Sequence, residues 1–281
     1  MALFSNIKLL NEHNAILEKV RANLGDWSTT AAGVSEYRDL LLGLQNWRCV
    51  YCQAPIERHA NGYRELDHIL PKNPSHRASL PKAHSENRED RKVTFGYPEF
   101  TFEPLNLVIA CKECNNQKGT FDPLKNRTRK IVRFPAEKNF LWFHPHYHTY
   151  SNHIRFNENC TFTRESDQGE NVIEACGLAD SEGLKRRFLS QAQSIVGRTK
   201  GDGLKESVRT LALNIVQRNI SIEQAASALS HTWQFPLAEA IALIAAWKSH
   251  FENDDDSALK QRANRALEVV TAKVARIKRS S

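Results

Sequence analysis

Two cysteine pairs, Cys49-Val50-Tyr51-Cys52 and Cys111-Lys112-Glu113-Cys114, bracket the run Leu66-Asp67-His68-Ile69-Leu70-Pro71-Lys72. The second pair leads directly into Asn115-Asn116-Gln117-Lys118-Gly119. Four thiolates that arrive as two close pairs suit the tetrahedral ligand set of a structural zinc. An aspartate and an amide oxygen instead suit a hard ion such as magnesium or manganese, which also binds phosphate. The two ligand sets are interleaved along the chain, and that interleaving points to phosphodiester hydrolysis. Such cleavage needs a base to deprotonate water and a cation to offset charge on phosphate and leaving oxygen. His68 fits the first role, and Asp67 with Asn115 fits the second.

These side chains need elements to bring them together. Adjacent strand residues point to opposite faces, so Asp67 and His68 share one site only where the strand bends or ends. Pro71 places that end just beyond them, since it cannot continue regular pairing. Leu105 to Ala110 reads as a second, apolar strand carrying one amide, Asn106, and a short helix is expected to begin at Asn115. The expected unit is strand, returning strand and helix, pinned at both ends by the zinc knuckles. Neither strand is long enough to hold alone, so bound metal would supply much of the folding energy.

The fold class expected is α+β, a small metal-built core between helical flanks. Residues 1–46 form a helical lead-in, with Ile7, Leu9, Leu10, Ile16, Leu17 and Val20 at near-helical spacing. Residues 47–125 form the core, and 126–182 read as irregular or strand-like cover. Residues 183–281 read as a helical accessory region. There Ser221-Ile222-Glu223-Gln224 is a capping box, and Pro236 stands ahead of a helix over 237–250. The apolar positions Ile241, Leu243, Ile244 and Trp247 need burial within the region, against a second copy or against a partner. A basic terminal helix closes the chain, with Arg262, Arg265, Lys273, Arg276, Lys278 and Arg279.

Among 281 residues, Lys+Arg 39 against Asp+Glu 32 leaves a formal charge of +7, consistent with a polyanionic partner. An apolar content of 41% excludes a disordered class and gives room for a sizeable core. The N-terminus lacks the pattern of a secretory signal, and the longest apolar stretch is too short to span a bilayer, so a cytoplasmic protein without a membrane partner is expected. In a reducing compartment the paired cysteines are metal ligands rather than disulfides. Cys160 and Cys176 read as buried structural thiols. The basic stretch 72–104 carries Lys72, Arg77, Lys82, Arg88, Arg91 and Lys92 beside the site, and is read either as tracking a nucleic-acid backbone, Lys72, Arg88, Arg91 and Lys92 above all, or as a solvated loop. His144, His146 and His148 are read as packing or surface histidines, with a metal site as the other reading.

The Asp67-His68, Asn106 and Cys111-x-x-Cys114-Asn115 elements resemble HNH endonucleases of the ββα-metal class, in the subgroup with a four-cysteine structural zinc. The resemblance covers roughly residues 45–125. It implies that His68 is the general base, that Asp67 and Asn115 hold a catalytic magnesium or manganese ion, that Asn106 holds the loop positioning the histidine, and that Lys118 faces phosphate. It also favours DNA over RNA. Phe121-Asp122-Pro123-Leu124, Phe143 to His148, His153 to Phe156 and Ile173 to Leu178 are similar to the HNH subunits of Septu-type and retron-associated anti-phage systems. That similarity implies a bacterial defence effector working with an ATPase subunit.

Two other readings stand beside this one. A zinc ribbon could support a nucleic-acid-binding or interaction surface without cutting, though such a module has no need of Asp-His at a strand end. The same site could also act on RNA, because attack by activated water needs no 2′-hydroxyl.

Overall fold

The computed structural model describes residues 3–56, 65–75, 80–127, 131–157, 160–253 and 256–280. Its contacts divide into two compact units, Met1–Phe156 with Phe162–Ala179, and Asn157–Thr161 with Asp180–Ser281.

In the first unit, helices α1 (Asn14–Arg21) and α2 (Val34–Leu44) bury Leu17, Val20, Tyr37, Leu41 and Leu42 on their inner faces. The Tyr37 hydroxyl donates to Pro104 O at 2.9 Å and ties α2 to the segment that opens the second strand. Strand β1 (Glu65–His68) is followed in the chain by the short helix α3 (Arg88–Arg91) and then by β2 (Leu107–Ala110). The two strands pair antiparallel, Asp67 opposite Val108 and His68 opposite Leu107. All four residues of β2 are apolar and buried, as a strand covered on both faces requires. Helix α4 (Lys112–Lys118) follows at once, so strand, strand and helix stand in the expected order, although the strand opens at Leu107 rather than Leu105 and the helix at Lys112 rather than Asn115, because Cys111 caps it.

The basic stretch is folded against the unit. Asn87 caps α3 by accepting from the Glu89 and Asp90 amides. Gly96, at φ +73°, lies so close to Asn73 and Pro74 that a Cβ there would come within 2.4 Å of backbone. His76 and Arg77 lie outside the described residues.

The cover over 126–182 is not wholly strand-like. A hairpin of β3 (Ile154–Phe156) and β4 (Phe162–Arg164) is followed by a helix, α5 (Asp167–Ala175). Ser166 starts α5 by accepting from the Gly169 amide at 3.1 Å, and Asp167 and Glu170 complement the positive end of the helix.

The second unit is helical: α6 (Ser181–Thr199), α7 (Leu204–Val216), α8 (Ile222–Trp233), α9 (Leu237–Glu252) and α10 (Ser257–Ser280). The capping box forms, the Ser221 amide donating to Gln224 Oε1 at 3.0 Å. Leu243, Ile244 and Trp247 of α9 pack with Val208, Leu211, Leu229, Leu267 and Val270, so these three are buried inside the unit, whereas Ile241 is 38% exposed, against the expectation that it is buried with them. No described helix is long and apolar enough to cross a membrane.

Candidate metal centre and active site

Cys49 to Cys52 fold as a tight knuckle after α2. The Gln53 amide donates to Cys49 O at 3.0 Å, the Cys49 amide to Ala54 O at 2.8 Å, and Gln53 takes a left-handed φ of 59° to turn the chain. The second pair begins α4: Cys111 is its N-cap, and its sulfur accepts from the Cys114 amide at 3.5 Å. The four buried Sγ atoms all lie within 4.8 Å of one another. A tetrahedron with metal–sulfur bonds of about 2.3 Å has edges of about 3.8 Å. The Cys52 and Cys111 sulfurs stand 3.8 Å apart. The four cysteines are thus positioned to bind a metal ion, and an all-thiolate set of this size fits zinc. Burial above all, together with the neighbouring Cys114 and Cys52, pushes the Cys49 thiol well above its ordinary pKa, a bias that a bound divalent cation would reverse. Cys176, read from sequence as a buried structural thiol, is buried and lies against Cys114 at the end of α5.

Beside this cluster, alternation along β1 turns Glu65 and Asp67 toward α4. The Asn115 side-chain Nδ2 donates to Glu65 Oε2 at 2.6 Å. Both Asp67 oxygens are engaged: Oδ2 accepts from the Tyr51 hydroxyl at 2.6 Å, and Oδ1 from Lys118 Nζ at 2.8 Å. The same ammonium donates to His68 O at 2.6 Å, so one side chain of α4 holds both residues of the Asp-His pair. Lys118 is only 1% exposed, which corrects the expectation that it faces phosphate: its charge is spent on a buried carboxylate.

His68 lies on the opposite face, at the last position of β1. Its Nε2 is 3.0 Å from Thr101 O. A carbonyl only accepts, so Nε2 carries the proton and Nδ1 the lone pair. Trp27 stands edge-on to the imidazole with ring centres 4.6 Å apart, and His68 is 6% exposed. Burial above all, then the Lys72 ammonium, lowers its pKa to about 3, so the ring is neutral at pH 7. The chain after His68 is clamped by Asn106, which accepts from the Leu70 amide at 2.7 Å and donates to Leu70 O and Phe100 O.

The basic residues of the stretch after Pro71 are mostly committed to other partners. Arg91 is 1% exposed and donates to Asp122 O and Leu124 O at 2.8 and 2.9 Å, so it is a structural arginine and cannot track a phosphate backbone. Arg88 donates to Gln117 O and Ala175 O, and Lys92 pairs with Glu89 at 3.1 Å. Lys72 is half-buried, and burial lowers its pKa.

The three histidines lie in and beside a tight turn rather than on a strand. His148 Nδ1 accepts from the His144 amide, His146 reaches Leu107 O at 3.0 Å, and His144 packs on Tyr147. Among the described residues they join no cluster of metal ligands.

Sequence reasoning missed Glu65, Tyr51 and Trp27. Glu65 carried a readable signal, two positions before Asp67 and so on the same strand face. Tyr51 and Trp27 carried none.

A stretch of 118 residues is similar to a Septu protein. It is 27% identical to "Septu protein PtuB" of Bacillus thuringiensis and covers 42% of this chain. The chain spans about a third of that protein's length, 35%. No family model matches the sequence, and no solved structure matches it.

Proposed function

We propose that the chain is a metal-dependent endonuclease of the HNH type that hydrolyses DNA phosphodiester bonds. The observation that carries this reading is the β1–β2–α4 arrangement. It sets an oriented neutral imidazole on one face of a strand end and two carboxylates and an amide on the other face, against the helix, with four cysteines positioned to bind a metal at the base of the helix.

Glu65, Asp67 and Asn115 offer hard oxygen donors of the kind magnesium and manganese take, and they would hold such an ion. The ion would offset charge on the phosphate and the leaving oxygen. The protein's own residues do the rest. Nδ1 of His68 takes the proton of an attacking water, the Thr101 carbonyl fixes the tautomer, and Asn106 keeps the strand end from drifting. Lys118 holds the Asp67 carboxylate and the His68 backbone at a fixed separation.

A plasmid-cleavage assay with magnesium, manganese or chelator, run on wild type and His68→Ala, tests the reading. Loss of the base should cost on the order of 10² to 10⁴ in rate with the fold intact. Equal cutting by the variant would refute the assignment. A second reading, a zinc module that binds without cutting, is favoured by the cover over His68 and by the full engagement of Asp67; it expects no cleavage by either protein. An RNA substrate in parallel decides between nucleic acids.

The similarity to a Septu protein supports a role in anti-phage defence. An ATPase subunit is the partner we propose, from the motif resemblance alone. Phage plating on cells carrying wild type or His68→Ala, and co-purification with the neighbouring gene products, test both parts.

A further inference from the structure

We propose that Trp27 is a removable cover on His68, carried on a pinned loop, and that a nucleic-acid strand entering the site lifts it. This rests on the reading of His68 as the base.

The loop over 22–33 joins α1 to α2 and is closed at its neck. Asn23 donates to Ala32 O at 2.8 Å and to Val20 O at 2.9 Å, and accepts from the Ala32 amide at 3.1 Å. Arg21, just before the neck, makes two hydrogen bonds to the Glu103 carboxylate at 3.1 and 3.2 Å. Gly25 and Gly33 take positive φ, +83° and +76°, which lets the chain reverse twice in a short span.

Beyond the neck the loop packs little. Leu24 is 92% exposed, and a Cβ added at Gly25 would meet nothing within 4 Å. A cleft of about 300 Å³ opens between Leu24 and Gly25 on one side and Pro98, Phe102 and Glu103 on the other. Trp27 is the exception: its indole lies edge-on to His68 and 5.4 Å from the Phe102 ring. The tip is therefore seated through one aromatic side chain, with open space beside it and a firm anchor behind it. That is the construction of a hinged cover rather than of a packed wall.

The cover has a chemical effect. With the indole against the imidazole and the ring 6% exposed, no water can sit at the ring to be deprotonated, and lifting the indole admits one. The site is silent when covered and competent when a ligand displaces Trp27.

The test reads His68 directly. Full-length, zinc-loaded protein is treated with diethylpyrocarbonate, and labelling is mapped by peptide mass spectrometry against His84 and His231, both exposed. Wild-type His68 should be protected. Trp27→Ala should raise its labelling roughly tenfold or more, to within about twofold of the references, while Trp27→Phe keeps the protection. Asn23→Ala, which unpins the neck without touching the indole, should raise it in part and serves if Trp27→Ala does not fold. Unchanged labelling in the Ala variants overturns the proposal. Plasmid cleavage is measured on the same samples. Exposed His68 with faster cutting supports the cover. Exposed His68 with cutting lost relative to an active wild type makes Trp27 a platform for the bound strand and overturns it. Exposed His68 with no cutting by any variant leaves the cover standing and sinks the nuclease reading instead.

Discussion

At the residue scale the most consequential contact is Lys118 on Asp67, two charges almost fully out of water. Such a pair adds little over an apolar pair of the same size, but losing one partner leaves an uncompensated charge. Lys118→Met should therefore destabilise the first unit by about 3–5 kcal/mol, read as a lower midpoint in urea. Tyr51→Phe removes one hydrogen bond to the same carboxylate and should cost less, about 1–3 kcal/mol. His146 provides a pH prediction. Burial lowers its pKa to about 4, below the unfolded value of 6.5, so it stays neutral in the fold while the unfolded chain takes up its proton. Stability is unaffected above about pH 6.5 and falls as pH drops toward 4, by up to about 1.4 kcal/mol per pH unit. His146→Gln should flatten that part of a melting-temperature profile while keeping a donor for Leu107 O.

At the element scale, β1 and β2 have four residues each, too few to persist as an isolated pair. Their persistence depends on what grips their ends, and the four-cysteine centre is the grip. Chelation, or Cys111→Ser, should lower the melting temperature of the first unit and release zinc in elemental analysis; a Cys111→Ser protein as stable and as zinc-rich as wild type would refute this. Elements of this kind were legible in sequence because their determinants are local. Two residues between cysteines, a proline just past Asp-His, and an asparagine after the last cysteine are all set by a few neighbouring positions. What could not be read are facts of tertiary contact. Arg91 turns inward because carbonyls beyond α4 await it, and Lys118 because Asp67 lies beneath it. Helix α5 was hidden because its capping serine follows a stretch with strand character.

At the scale of the whole molecule, the second unit has its own core. Leu243, Ile244 and Trp247 of α9 are covered by α7, α8 and α10, so these three give no independent reason to seek a partner, while Leu237 and Ile241 stay exposed. The terminal helix α10 contributes Ala263, Leu267, Val270 and Val274 to this core, and Lys273 reaches Glu239 of α9 at 2.7 Å. Deleting residues 257–281 should then do more than remove a basic arm. Fully burying a Val or Leu side chain is worth roughly 1.5–3 kcal/mol, so three lost together cost several. The truncated chain should melt earlier and aggregate, measured by calorimetry and light scattering. A truncation that leaves stability unchanged but abolishes DNA binding would instead make α10 a binding arm.

The Cys111 sulfur has two duties, closing the four-thiolate cluster and accepting the Cys114 amide that starts α4. The first turn of the helix and the coordination sphere thus share an atom. Loading the four cysteines with cadmium-113, in place of spectroscopically silent zinc, would make this sharing audible: the Cys114 amide proton would sit one hydrogen bond from a sulfur bound to a spin-½ nucleus. Its scalar coupling to cadmium would report, in one resonance, whether the metal is seated and whether the helix that carries Asn115 and Lys118 has begun.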